Sequence, residues 1–545
     1  MPVPTTRRRR TTAVAAVALV ALSAACGGPA GTAEETRADV EFLNTTPAAS
    51  GQLDEATWLM STEPSTLDLD GDAATSHSDL VMANVCERLL QVQPDLSVAP
   101  HLAESYEWAT PTTLVFRLRE DVTFHSGAAM TARDVVWSLN RHADGAAESD
   151  EYVNVESIEE TGPYEVTVHL TQSDAVFLQS LAGDAGVVLE RAAVEAQGDA
   201  YGTPSGEDAC SGPLALDSWR SGQEIELARA GDYWNPERAS RTDRITFRWM
   251  SDDAMVNSLV TGSATGTYLE NLAAADRLAQ SSGLTVNQGP STRVWSLMVT
   301  ERGGLADPRL RTALSLALDR EGINRAGLAG LGQPWREPVG SGAWGYETAV
   351  FEAAHEEIEG FPASPGEEDI EEARRLVAEV GDTEPIVVAS DGTSIRNVVA
   401  NAVVSAADEI GLEASIERVS EAEYTAYYSN EEGRRAVDLF ADDYFISKFD
   451  PLGFYKNGAS DSTVQWLLRD PGFDDLVARG RAALDDAERA RLSVEMATAW
   501  ADAKPWISLV SSPSTVVMSD EVTGVPAAGI YFYYPWAADL GTGEG

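Results

Sequence analysis

"FHSGAAMTARDVVWSLNRH", residues 124–142, is the stretch whose reading decides the fold. Gly127 can take a backbone conformation that a Cβ disfavours, so "FHSG" reads as a strand ending in a tight turn. Thr131 stands three residues ahead of Asp134. In that Ser/Thr-x-x-Asp/Glu spacing each side chain satisfies the other's free backbone N–H at a helix start. Val135, Val136 and Leu139 then recur at helical spacing. A strand, a turn and a capped amphipathic helix occur in many folds, and the surrounding chain has to choose among them.

Outward from this stretch, strands alternate with helices. "LVFRL" (114–118), "YEVTVHL" (164–170), "IEL" (225–227) and "ITFRWM" (245–250) alternate with period two. "DPRLRTALSLALDREGI" (307–323) and "EDIEEARRLVAEVG" (368–381) carry the longer period and predict one helix each. In 385–419, strand "PIVVAS", helix "IRNVVANAVVSAADEIG" closing at Gly411, and strand "LEASIERV" follow one another. Two strands joined through such a helix predict a parallel βαβ unit and an α/β domain. The first half is richer in strands and reads as a different, mixed-sheet lobe. Two unlike lobes leave a cleft, a usual home for a ligand.

The N-terminus reads as an address. Arg7–Arg10 form a positive region, and the apolar stretch 11–25, 15 residues long, falls short of the ~20 that span a bilayer core. Residues 1–25 therefore read as a signal peptide. "LSAACGG" resembles a lipoprotein processing site with Cys26 as the lipidated new N-terminus; an ordinary cleaved signal is the alternative. Residues 26–52 are small, polar and aperiodic, as a flexible tether would be. The remaining chain is long enough for two or three domains, and 43% hydrophobic residues with 13 tryptophans allow a large packed core.

Removing the signal takes away four arginines and no acids, so the net charge moves from −48 to −52. Such a surface repels nucleic acid and anionic headgroups. The acids are spread along the whole chain, which favours a solvated acidic surface over focusing of cationic ligands. Beyond Cys26 there are Cys86 and Cys210, an even pair for an oxidising compartment. They are expected to form a disulfide; Cys86 also fits the apolar stripe Met82–Val85–Cys86–Leu89 as an unpaired core cysteine.

Catalytic patterns are missing. The chain has no His-Glu-x-x-His, Cys-x-x-Cys or Gly-x-Ser-x-Gly, and "HEEIE" at 355 lacks a second ligand. "GSGAWG" (340–345) matches Gly-x-Gly-x-x-Gly, yet it follows Pro338 instead of a strand and reads as a loop. His125 reads as support for its turn. No catalytic residue, metal site or cofactor is assigned. Aromatic clusters are the better lead: Tyr444, Phe445 and Phe449 in "DDYFISKFDP", and Tyr531–Trp536 in "YFYYPW". Rings beside Pro and charged residues suit cleft-lining loops.

"LREDVTFHSGAAMTARDVVWSLNRH" (118–142) resembles the signature of the peptide/nickel-type extracellular solute-binding proteins, the receptors of bacterial ABC importers. "STEPSTLD" (61–68), "NVCERLLQVQPDLSVAPHLAESYEW" (84–108), "CSGPLALDSWRSGQEIELARAGDYW" (210–234), "DPRLRTALSLALDRE" (307–321) and "VDLF…FDP" (437–451) resemble further family segments in the right order. The likeness runs from about 55 to 540. It implies an α/β, two-lobed periplasmic-binding-protein-like fold of type II, hinge-linked, with an extra subdomain in the first lobe. The expected division is lobe I at 53–75, 190–290 and 510–545, the extra subdomain at 76–189, and lobe II at 291–509.

The function so implied is a lipid-anchored receptor outside the cytoplasmic membrane. It would capture a peptide or related solute in the cleft and pass it to permease subunits with cytoplasmic ATPases. A sensor or enzyme on the same fold, or a receptor for an oligosaccharide or metal chelate, is the alternative. In the family's peptide receptors, the strand resembling "VDLF" is followed at a fixed interval by an aromatic, then by an aspartate that pairs with the ligand's α-ammonium, then by an acid–Pro step. An ungapped count from Asp438 puts the aromatic landmark at Tyr444, the anchor at Ser447 and the acid–Pro step at Asp450–Pro451. Glu63 matches an acidic cleft position. The resemblance thus offers Glu63, Tyr444, Phe445, Ser447 and Asp450 as ligand-binding residues, with Asp442 and Asp443 as nearby substitutes. A hydroxyl at Ser447 cannot give a charge-assisted bond, so free-N-terminus di- and tripeptides are not the expected ligands.

Overall fold

Leu114, Phe116, Val166 and Val168 have no exposed surface, and their alternation builds an antiparallel four-stranded sheet. Its order is Ala103–Thr110, Thr113–Leu118, Glu165–Leu170, Val155–Gly162. The computed structural model that shows this describes residues 42–71, 74–145 and 149–543. The helix Ala132–Gly145 lays Val135, Leu139 and His142 onto that sheet, one face at i, i+4 and i+7. Half of the expected cap forms. The N–H and the hydroxyl of Thr131 both donate to Asp134 Oδ2 (3.0 and 2.7 Å), while the Asp134 N–H goes to the Thr131 carbonyl instead of the side chain.

The strand expected to end in "FHSG" closes earlier, at Leu118. The segment is a turn between Thr123 and Ala129, which form one isolated bridge. Gly127 has φ +86° and donates to the Phe124 carbonyl (2.8 Å). His125 ties this turn to the 208–212 segment: Nδ1 lies 2.6 Å from Asp208 Oδ1 and Nε2 2.8 Å from the Gly212 carbonyl. Cys210 in that segment is disulfide-bonded to Cys86, with Cα atoms 4.7 Å apart.

Two larger sheets hold the rest. The seven-stranded sheet runs Leu284–Gly289, Ser514–Ser519, Gly266–Tyr268, Leu53–Met60, Thr242–Trp249, Glu224–Arg229, Leu214–Arg220. It is mixed: Leu53–Met60 pairs parallel with both neighbours, and the outer pairings are antiparallel. The six-stranded sheet runs Gln333–Pro334, Trp506–Ser511, Val294–Val299, Leu439–Asp442, Ile386–Ser390, Ala414–Arg418. Ile386–Ser390 and Ala414–Arg418 pair in parallel across the helix Ser394–Ile410, which ends on Gly411 at φ +85°. The chain passes between these sheets twice, at 289–294 and 511–514. "GSGAWG" is a loop with one 3-10 turn, Ser341–Ala343. It packs on the first crossover, where Gly340 N and Gly342 N donate to Thr292 O and Ser291 O (3.1 and 3.0 Å).

Two expectations need correction. The single helix at 307–323 is two, Pro308–Ala317 and Arg320–Gly327. Asp319 caps the second by accepting from Gly322 N (3.0 Å), and Leu318 takes extended angles to let the chain turn. The buried Arg320 guanidinium holds the break by donating to the carbonyls of Ser315 and Ser508. The last part of the expected tether is docked. Leu43 N donates to Gln288 O, Thr46 N to Val525 O and Ser50 N to Thr542 O (2.8–3.0 Å). These are backbone bonds, to which the small polar side chains of 42–52 give no clue. The signal peptide, Cys26 and residues 27–41 lie outside the described residues. Among the described residues, no helix is long and apolar enough to cross a membrane.

Candidate ligand-binding site

Between the two larger sheets lies a cavity of about 290 Å³, bordered by both crossovers through Ser291, Thr292, Arg293, Ser512 and Pro513. Glu270 comes from the turn after Gly266–Tyr268, Tyr531 and Phe532 from the segment ahead of the short helix Trp536–Asp539, and Asp443, Phe445 and Phe449 from the segment beyond Leu439–Asp442. The rings hold one another. Tyr531 stacks on Tyr268 at 3.7 Å and 9°, and Phe532 lies 6.5 Å from Phe445 and 6.2 Å from Tyr533. Such stiff, flat walls suit a ligand with apolar faces.

Three charged side chains face this space. Arg293 donates through Nη1 to Asp443 Oδ2 (2.9 Å), and its guanidinium lies 4.8 Å from the centre of the Phe445 ring. Burial opposes the Arg293 charge, but Asp443, Tyr531 and Glu270 outweigh it and hold the guanidinium above its ordinary value. Glu270 accepts from Ser61 Oγ (2.6 Å) and lies 3.2 Å from His77 Nε2. Burial alone would raise its carboxyl, but the His77 and Ser61 contacts prevail and lower it. Asp442, one residue before Asp443, is turned away to Tyr428 OH (2.7 Å) and Arg396 (3.4 Å). Burial and then the Asp443 charge raise its pKa.

Of the five offered ligand residues, Phe445 lies on this cavity. Tyr444, its neighbour on the opposite side of the chain, is packed edge-on against Trp506 and Phe454 at 5.3 and 5.9 Å. Ser447 is 2% exposed and its hydroxyl accepts from Lys448 Nζ (2.7 Å). Asp450 is fully buried and structural: Arg489 Nε, Tyr346 OH and Leu452 N all donate to it (2.7, 3.0 and 2.9 Å). Glu63 sits outside the cavity, accepting from Trp219 Nε1 and Gly222 N (2.9 and 3.0 Å), where it closes the turn after Leu214–Arg220. The ungapped count points to a segment that borders the cavity, but beyond Phe445 the side chains of Ser447 and Asp450 turn inward while Phe449 still lines it. Asp443, offered as a substitute, does face the cavity.

Arg293 and Glu270 were missed. Neither stands in a local motif; each is a lone charge in a connecting segment, brought to the cleft by the crossover or by the turn after Gly266–Tyr268. Among the described residues no cluster of three or more His, Cys, Asp or Glu side chains is placed to hold a metal ion.

Comparison with known proteins bears on the family and the fold. A model of the bacterial extracellular solute-binding proteins, family 5 Middle, matches residues 97–466. The glutathione-binding protein GsiB of Escherichia coli (strain K12) is 27% identical over 271 residues, 48% of this chain and 52% of GsiB. The chain thus spans about half the length of the curated relatives it matches. Two solved structures resemble it over most of its length. AgaA of A. tumefaciens R10, in complex with agropinic acid, has a TM-score of 0.72 at 22% identity and covers 90% of this chain and 98% of its own. The oligopeptide-binding protein AppA of Bacillus subtilis, in complex with a nonapeptide, has a TM-score of 0.71 at 19% identity, covering 91% and 100%. These likenesses establish the two-lobed periplasmic-binding-protein fold.

Proposed function

The chain belongs to the bacterial extracellular solute-binding proteins, family 5, and from that premise we propose that it is the receptor of an ABC importer, closing over a compact solute between its two larger sheets. The observation that carries this reading is the cavity bordered by both crossovers: a ligand there touches the segments about which the lobes would turn. The lobes are assigned to 53–75, 190–290 and 510–545 on one side and 291–509 on the other, with 76–189 as a subdomain of the first.

At about 290 Å³ the cavity lies at the small end of ligand pockets, ~300–1,000 Å³. That favours a solute of the size of glutathione or agropinic acid, the ligands named for GsiB and AgaA, over a nonapeptide. Both carboxylates on the cavity already have partners, Asp443 with Arg293 and Glu270 with His77 and Ser61. This supports the expectation that free-N-terminus dipeptides are not preferred. Delivery to a permease, and a lipid on Cys26 holding the protein at the outer face of the membrane, complete the reading.

The test is a thermal-shift screen of peptides, opines and oligosaccharides on the chain from residue 27, followed by small-angle scattering of hits. A saturating ligand is expected to raise the melting temperature by mass action and shrink the radius of gyration. A tight ligand that leaves the radius unchanged would rule out closure. Lipidation is read separately, as a diacylglyceryl mass on Cys26 that Cys26→Ser removes together with membrane retention.

A further inference from the structure

The charges on the cavity are unequally engaged. Each carboxylate meets a cationic or hydroxyl partner within 3.2 Å. The Arg293 guanidinium is different. Among the described residues it donates to one side chain, Asp443, through Nη1, while its Nε–H and its Nη2 amino group meet no protein acceptor. Its side chain is 30% exposed, on the cavity. The planar fork of Nε and Nη2 matches two oxygens of one carboxylate or phosphate. The guanidinium carbon lies over the Phe445 ring, 4.8 Å from its centre. The anchorage is stiff: Arg293 N donates to Ser291 Oγ (3.1 Å), and residues 291–292 are clamped by the Gly340 and Gly342 amides.

We propose that Arg293 is the specificity-determining residue of this cavity, an anion anchor that takes a carboxylate or equivalent oxyanion of the solute on its Nε/Nη2 edge. The inference rests on the solute-binding reading and names its ligand class: a compact organic acid whose acid group meets the crossover and whose apolar part lies against Phe445, Phe532 and Tyr531. Asp443 tunes the site. It holds the guanidinium in place through Nη1 and, as a nearby negative charge, weakens the incoming anion. The two residues therefore act in opposite directions on affinity, although they form one ion pair.

The experiment measures thermal shift and calorimetric affinity for matched probes on the chain from residue 27: N-acetyl dipeptides, opines and dicarboxylates, each beside its amide or methyl ester. Wild type is compared with Arg293→Gln, Arg293→Lys and Asp443→Asn. Acids are expected to bind at least tenfold more tightly than their esters. Arg293→Gln should lose that preference, Arg293→Lys should recover part of it, and Asp443→Asn should bind acids more tightly than wild type. If the pair is merely structural, Arg293→Gln and Asp443→Asn will weaken binding alike, and the proposal falls. Esters binding as well as acids on unaltered protein also overturn it, without needing any variant to fold, while leaving the solute-binding reading intact. No shift from any probe, with hits confined to neutral solutes in the wider screen, overturns the anchor alone; no hit of any kind overturns both.

Discussion

His125 shows how much one side chain in the opening segment does. Both ring nitrogens face acceptors, the Asp208 carboxylate and the Gly212 carbonyl, which an imidazolium satisfies and a neutral ring does not. Burial works against that charge, but the hydrogen bond to Asp208 and its charge outweigh it, so the pKa is raised. For a base with a raised folded value, the stabilisation is complete below the unfolded value near 6.5 and is lost as pH rises through the folded value. His125→Gln is expected to cost about 2 kcal/mol, the scale of a hydrogen bond to a charged group, at pH 5.5. The gap in melting temperature from wild type should narrow toward pH 9; a pH-independent gap would show the ring is held neutral. The supporting role was readable from "FHSG". The partner was not, because Asp208 is 83 residues away.

At the scale of elements, the crossover and the glycine loop against it are the parts about which the proposed closure would turn. A Cβ on Gly342 would stand 2.5 Å from the Ser291 carbonyl carbon, a backbone atom that cannot swing aside. Gly342→Ala is therefore expected to push the 289–294 segment, destabilising the fold by about 1–3 kcal/mol as overpacking does and weakening any ligand held at Arg293. Melting and affinity measured together check this; full stability with unchanged affinity would mean the loop simply moves. Helices and strands were largely legible from periodicity, as in 385–419. The break at Leu318 was hidden because the apolar pattern of "LRTALSLALDREGI" runs straight across it, and the buried Arg320 that holds the turn looks like a surface charge.

At the scale of the molecule, the four-stranded-sheet region is tied to the six-stranded-sheet side by buried ion pairs. Glu151, 1% exposed, accepts from Lys448 and Lys456 (both 2.5 Å), and Asp174 pairs with Arg481 (2.6 Å). Burial would raise the Glu151 carboxyl, but the two lysines bring it down from 4.5 to about 2. A depressed acid contributes above its unfolded value, and the contribution disappears as pH falls from 4.5 toward 2. It amounts to about 3 kcal/mol at ~1.4 per unit. Glu151→Gln should lower stability at pH 7 and flatten the acid limb of the stability curve between those values. An unchanged acid limb would assign the loss to other carboxylates.

The sequence by itself determined the class of this protein: an α/β chain patterned into a strand-rich half and a βαβ half, with family segments in order and no catalytic constellation. Those properties are local, set by hydrophobic period, turn residues and caps, and each acts within a few residues of itself. It also offered the 444–450 segment as a ligand contact, with Asp442 and Asp443 as substitutes beside it. Which side chains of 442–450 face the cavity was decided by tertiary structure alone. Phe445 and Asp443 line the cavity while Tyr444, Ser447 and Asp450 are drawn into the core, because packing against Trp506, Lys448 and Arg489 turns them inward. Arg293 and Glu270 had no sequence signal. A lone charge on a connection acquires its role when two sheets, assembled from segments over two hundred residues apart, bring it to their common cleft.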